Sequence, residues 1–286
     1  MANIRLIRRR IRTIQSTAKI TRAMEMIATS KMKRAQERVL AGRPYAEKMR
    51  QVIADLAAPL QAEGAVHPLL QRREVNRIEV IHITADRGLC GGLNANMNRS
   101  TGSFILQQTA PSVLITVGRR GRDFMLRYGR EVRAEFTGMS DRPILLDTLP
   151  ISRIVIDDYT KGFAGLVYLA YTQFITTMTQ RPVLQQLLPV EPPAKTEQKY
   201  AVEYIYEPSS QAVLAELLPR FVEMQVYHGM LEAIASEQSA RMVAMRNATD
   251  NANELIQDLT LMQNKARQEM ITKELLDITG GVEAMG

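Results

Sequence analysis

Apolar positions recur at intervals of three and four at both ends of this chain. At the N-terminal end Ile4, Ile7, Ile11, Ile14 and Ala18 follow at spacings of 3, 4, 3 and 4, the seam of a helix that pairs with another. The stripe then shifts register to Met24, Ala28, Met32, Ala35 and Val39. No proline precedes Pro44, the first glycine is Gly42, and Tyr45, Met49, Val52 and Leu56 let the helix resume. A helix of about 55 residues is roughly 80 Å long at 1.5 Å per residue. That is too long to bury inside one globular domain of this size, so it needs a partner along its length.

The other end supplies the partner. Ser209 or Ser210 caps a helix start after Pro208. From there Leu214, Leu217, Phe221, Met224, His228 and Leu231 keep the 3–4 spacing. Ala235, Gln238, Met242, Met245, Thr249, Ala252, Ile256 and Leu259 continue it. Pro219 is expected to kink or restart the helix rather than end it. About 70 residues span roughly 105 Å. Two helices of this length at opposite chain ends predict an antiparallel coiled coil, with His228, Gln238 and Thr249 fixing its register.

Between the ends the period changes. "RIEVIHIT" (Arg77–Thr84) and "VLITVG" (Val113–Gly118) read as buried strands, with a crossover helix over "NANMNRSTGSFILQQ". Helices follow at Arg119–Tyr128 and Pro150–Lys161; strands are expected at Glu131–Phe136, Leu166–Phe174, Val183–Leu188 and Ala201–Tyr206. Pro189–Lys199 is a solvated loop. The fold class is α/β: a Rossmann-like, mostly parallel domain at 75–206, inserted between coiled-coil helices at 1–66 and 209–286.

Composition narrows the function. The chain has 286 residues, no tryptophan, 16 methionines and one cysteine, Cys90, so it has no internal disulfide and suits a reducing compartment. No apolar run is long enough to cross a bilayer. The net charge is +7, but it is unevenly placed. Residues 1–50 hold 14 Lys/Arg against 3 Asp/Glu, whereas residues 209–286 hold 6 against 11. Opposite charge favours the two ends lying together, and a nucleic-acid protein would keep its basic segment free. The Arg-rich first 24 residues also resemble an organelle transit peptide, although the helical pattern runs on past residue 50 without a break.

Candidate chemistry is sparse. "ITADRGLCGGLN" (Ile83–Asn94) places three glycines between a strand and a helix, where α/β proteins hold phosphate. It is not GxGxxG and lacks a P-loop's Gly-Lys-Ser/Thr ending. Glycines in a tight βα turn also serve backbone shape alone. In "VGRRGRD" the arginines Arg119, Arg120 and Arg122 read as a solvated basic face, and Asp157–Asp158 as solvent-facing. His67, His82 and His228 have no metal-ligand spacing, and Cys90 has no evident base. No catalytic residue, metal or cofactor is nominated. A nucleotide-dependent α/β enzyme and a basic helical nucleic-acid-binding protein remain the alternatives.

Four blocks then carry a family resemblance: "ITRAMEMIATSKMKRAQ" at Ile20–Gln36, "TADRGLCGGLN" at Thr84–Asn94, "EQSARMVAMRNATDNA" at Glu237–Ala252 and "MQNKARQEMITKELLDITGG" at Met262–Gly281. In order and spread over nearly the whole chain, they closely resemble the gamma subunits of F-type ATP synthases. One departure is Val282, where the family usually has alanine.

The resemblance implies a non-catalytic rotor shaft, one copy per complex, carrying torque between a membrane ring of c subunits and the alpha/beta hexamer. Its partners would be the alpha and beta subunits, the epsilon subunit and the c-ring, with no cofactor and no nucleic acid. By the same resemblance Arg22, Met24, Lys31 and Lys33, with Asp86, Arg87 and Cys90 beside them, contact beta. Arg241 falls near that contact, and Arg267, Gln268, Thr272 and Glu274 resemble a collar engaging beta higher up. Ile278, Gly280, Gly281 and Val282 would form the bearing tip, in a segment whose one charge is Glu283. A shaft helix beginning at Met1 suggests a bacterial form on the cytoplasmic face of the plasma membrane.

Overall fold

The computed structural model describes residues 4–62, 67–191 and 206–283. It divides into two compact units. One comprises residues 29–240; the other joins the chain up to residue 28 with the chain from residue 241.

The first unit is built on a five-stranded sheet. Strands β1 (Ile78–Ile83), β2 (Ser112–Val117), β3 (Glu131–Phe136), β4 (Leu166–Phe174) and β5 (Gln180–Leu188) lie in the order β3-β2-β1-β4-β5. β1 to β4 run parallel and β5 is antiparallel to β4. Every residue of β1 is buried, as expected of a central parallel strand covered on both faces. Successive side chains therefore divide between two cores. Ile78 and Val80 pack with Met97 and Ile105 of α2 (Leu93–Gln107) and Met125 of α3 (Arg119–Arg127). Ile81 and Ile83 pack on the opposite face with Ile151, Val155 and Tyr159 of α4 (Leu145–Thr160).

That second face is also where the terminal helices contribute to this unit. Helix α1 (Ile4–Ala62) adds Met49, Ile53, Leu56 and Ala57, and helix α5 (Ser210–Glu283) adds Leu214, Leu218, Val222, Val226, Met230 and Ile234. The seam expected on α5 passes through Leu214, Leu231 and Ala235, which are indeed buried. Leu218, Val222, Val226, Met230 and Ile234 form a further stripe at four-residue spacing. This stretch is thus buried around most of its girth, as a helix shared by a coil and a sheet must be. Each such fully buried aliphatic side chain stabilises the fold by about 1.5–3 kcal/mol.

In the second unit the two helices run antiparallel. The Thr21 and Thr249 hydroxyls lie 2.7 Å apart, and Arg246 donates to Glu25 at 2.8 Å. The partner's number falls as the residue number rises. Ile7, Ile11 and Ala18 are buried from one side, and Met242, Met245 and Ala252 from the other. Residues 267–280 of α5 are all exposed.

Several boundaries differ from expectation for identifiable reasons. Helix α1 passes through Gly42 and Pro44 without a break, and α5 through Pro219. Ser209 caps α5, its hydroxyl accepting from the Ala212 N–H at 3.2 Å. Helix α4 starts five residues before Pro150. Asp147 accepts from the Ile144 N–H there, and the carbonyl that Pro150 leaves without a donor belongs to the first turn. Strand β5 starts at Gln180 because a tight turn at Ile175–Thr179 carries the chain back along β4, with Pro182 on the sheet edge. The strand expected at Ala201–Tyr206 and most of the Pro189–Lys199 loop lie outside the described residues.

Candidate functional site

The glycine-rich segment is a cap. Three residues at the end of β1 take the first three N–H groups of α3: Arg119 donates to Asp86 Oδ1 at 3.0 Å, Arg120 to the Ala85 carbonyl at 3.2 Å, and Gly121 to Thr84 Oγ1 at 2.8 Å. The second oxygen of Asp86 accepts from the Gly138 N–H at 2.8 Å. A helix N-terminus, the natural seat of an anion, is thus filled by the chain's own carboxylate. Asn94 is turned back into the loop, accepting from the Ala85 N–H at 3.1 Å and donating to Cys90 Sγ at 3.3 Å. Gly91 sits at φ 59°, a left-handed conformation that glycine adopts without strain. At Gly118, φ is 96° and an added Cβ would lie 2.1 Å from the Thr84 carbonyl oxygen. These two glycines let the backbone turn and let β1 meet α3 closely. Gly91 is the one glycine of the motif with a positive φ; Gly118 belongs to the neighbouring "VGRRGRD" segment.

Beside this cap, at the C-terminal ends of β1 and β2, is an open hollow of about 360 Å³. Thr84, Asp86, Arg87 and Arg119 line it from the sheet side, Asp141 from the loop before α4, and Glu237 from α5. Lys31 of α1 is ion-paired to Asp141. The structure therefore brings Lys31, Asp86 and Arg87 to one place, through Asp141, a residue the sequence did not nominate. Cys90 is buried beneath the loop, so its thiol is covered. Lys33 is exposed on α1.

In the other unit Arg22 is exposed and Met24 and Arg241 are half-buried. Arg267, Gln268, Thr272, Glu274, Ile278 and Gly280 all fall on the exposed end of α5, among the uncovered apolar side chains Met270, Ile271, Leu275 and Leu276. The surroundings of Gly281 and Val282 lie outside the description.

The remaining chemistry is structural. His82 is fully buried between Asn98 (2.8 Å at Nε2) and Thr101 (3.1 Å at Nδ1), and burial pushes its imidazole down to about 4. Asp158 corrects the expectation of a solvent-facing pair. Asp157 is exposed, but Asp158 is buried and accepts a two-point ion pair from Arg133, at 2.7 and 2.8 Å. Fully buried Glu79 of β1 is its neighbour. Burial, and then the Asp158 charge, push the Glu79 carboxyl well above the usual carboxylate range. A glutamate inside the apolar run "RIEVIHIT" was the visible signal; its neighbours Arg133 and Asp158, 54 and 79 residues further along the chain, were not. Among the described residues no cluster of His, Cys, Asp and Glu could hold a metal ion, and no helix is long and apolar enough to cross a membrane.

A Rossmann-like sheet packed against two long terminal helices, which pair antiparallel with each other, is the architecture of a helical stalk protein. The ATP synthase family profile matches residues 3–285. An ATP synthase gamma chain from Dehalococcoides mccartyi is 63% identical over 285 residues, covering 100% of both chains. One from Chloroflexus aurantiacus is 48% identical over 289 residues, covering 100% of this chain and 99% of the relative. In fold the chain is similar to one in a Euglena gracilis mitochondrial ATP synthase, with TM-score 0.70 and 20% identity, covering 99% of this chain and 94% of that one. The chain belongs to the ATP synthase gamma-chain family, whose members are non-catalytic subunits of that complex.

Proposed function

We propose that the chain is the central rotor shaft of a proton-translocating F-type ATP synthase, transmitting torque between a membrane c-ring and the catalytic sites of an alpha/beta hexamer. The observation that carries this reading is the end of α5. Over residues 267–280 the helix leaves Met270, Ile271, Leu275, Leu276 and Ile278 uncovered. Uncovered apolar side chains repeated along a helix mark a surface that another protein covers, and apolar contacts permit turning because they need no fixed polar partner. Arg267, Gln268, Thr272 and Glu274 on the same stretch are then a collar against beta, and Ile278 to Val282 the bearing tip.

Arg22, Met24, Lys31, Lys33, Asp86, Arg87 and Arg241 form further contacts with beta, with Cys90 acting beneath the loop rather than touching the partner. Charged contacts at exposed positions are individually weak, about 1 kcal/mol or less, so they break and re-form as the shaft turns. The shaft is asymmetric, so three equivalent beta subunits meet different faces of it and adopt different affinities. The epsilon subunit and the c-ring bind at its other end, on the cytoplasmic face of a bacterial plasma membrane.

The test is ATPase activity of cognate alpha and beta subunits mixed with and without this chain, beside the chain alone. Sustained turnover by a stable complex only when all three are present is expected. Turnover or saturable nucleotide binding by the chain alone would overturn the reading.

A further inference from the structure

Helices α2 and α3 lie against the same face of the sheet, and a groove of about 680 Å³ runs between them. From α2 it is lined by Ala95, Arg99, Gly102 and Leu106, at intervals of four, three and four. From α3 it is lined by Arg120, Phe124 and Arg127, at four and three. Each helix thus turns one face to it. Gly102 leaves the floor open: a Cβ added there would meet nothing within 4 Å.

The groove is both basic and apolar. Arg99, Arg120, Arg127 and Arg130 line it, and among the described residues none of the four has an ion-pair partner. The one carboxylate in the lining, Asp123, is held by Arg122 at 2.9 Å. Leu106 is 73% exposed, and Tyr128, 64% exposed, stacks at a tilt on Phe124 with ring centroids 4.6 Å apart.

We propose that this groove is a docking site for an acidic amphipathic helix of another protein. Spacing selects that occupant. Arg120 and Arg127 are seven residues apart on α3, about 10 Å at 1.5 Å per residue. Carboxylates two turns apart on a guest helix match that interval, whereas a single phosphate group cannot reach both. The face from Ala95 to Leu106 extends about 16 Å, which is three turns of guest. Leucine or phenylalanine on the adjoining face of the guest would cover Leu106 and Phe124, the helix-in-groove mode of recognition. The inference does not depend on the shaft reading, since the groove is tested on the isolated chain.

The test uses the full-length protein and a fluorescein-labelled 14-residue helical peptide, with Glu two turns apart on one face and Leu and Phe on the next, followed by fluorescence anisotropy. Saturable one-to-one binding is expected, falling steeply with added salt. Gly102→Leu should weaken it at least tenfold, because the new side chain fills the groove while every arginine stays in place and helix propensity rises. The exposed-site double variant Arg99→Glu with Arg127→Glu should weaken it as much, with an unchanged melting temperature for the protein. Equal binding by a scrambled peptide of the same composition would overturn the proposal by reducing it to general charge attraction. So would unchanged binding by both variants, or full displacement by an equal concentration of tripolyphosphate, which would make the groove a small-anion site.

Discussion

The unit at residues 29–240 and the paired helices of residues 4–28 and 241–283 use the same kinds of side chain to different ends. In the first, the central strand β1 is covered on both faces, and two carboxylates are matched internally, Asp86 by two backbone N–H groups and Asp158 of α4 by Arg133. In the second, burial is confined to one seam, and it stops: among the described residues nothing covers α5 over 267–280. The contrast is one of degree, since the first region also leaves Leu106 and Tyr128 exposed beside the α2–α3 groove. A region with apolar side chains left over describes something outside the chain.

Four substitutions would break or sharpen that contrast. The largest effect is expected at Gly118→Val. Its side chain would collide with the Thr84 carbonyl at a φ of 96°, costing about 3 kcal/mol or more. A denaturation midpoint near that of the unaltered protein would break the account of the close β1–α3 approach.

Next is Glu79→Gln, which changes how stability depends on pH. Glu79 is raised to about 8 from an ordinary value of 4.5. Between those values the folded protein keeps a proton that the unfolded chain releases, so this group's contribution is full below pH 4.5 and is lost as pH rises towards 8. The variant should show a shallower fall in stability over that window in urea titrations at successive pH values. An identical slope would mean that Glu79 is ionised when folded.

In the paired helices, Thr21→Val should cost only about 1 kcal/mol, because the Thr249 hydroxyl retains the Met245 carbonyl at 2.9 Å. The double variant with Thr249→Val should recover part of that loss. Strict additivity in thermal melts would show that the two hydroxyls are not coupled.

The smallest effect on folding belongs to Leu275→Asp. An exposed position should change stability by about 0.5 kcal/mol or less, while the same change should impair ATP-driven proton pumping in the assembled complex. Normal pumping would remove the bearing role proposed for that end of α5.

Much of this was legible in the sequence because it rests on periodicity. Ile7, Ile11, Met242 and Met245 announce a seam by spacing alone, and the run Ile78–Ile83 announces a buried strand. What was not legible depends on pairs distant along the chain. Leu218, Val222 and Val226 are plainly apolar, yet nothing local says that a sheet covers them as well as a helix. Asp157 and Asp158 look alike until Arg133, brought over on an edge strand, selects one of them. Pro44 and Pro219 weaken a helix locally, yet, as the apolar patterns on either side imply, each helix runs on past its proline. At the candidate site, Lys31, Asp86 and Arg87 were read by resemblance, while Asp141, which ties Lys31 to that hollow, had no sequence signal at all.

The Asp86 cap has a consequence for a protein of this family. A subunit of an ATP synthase works beside nucleotide whose concentration shifts with the state of the cell. Had the anion seat at the start of α3 been left vacant, a passing phosphate could settle there, and the mechanics of the stalk would drift with metabolism. With that seat tenanted by the chain's own carboxylate, the start of α3 keeps its charge and shape whatever nucleotide is nearby, as a fixed part of an engine must.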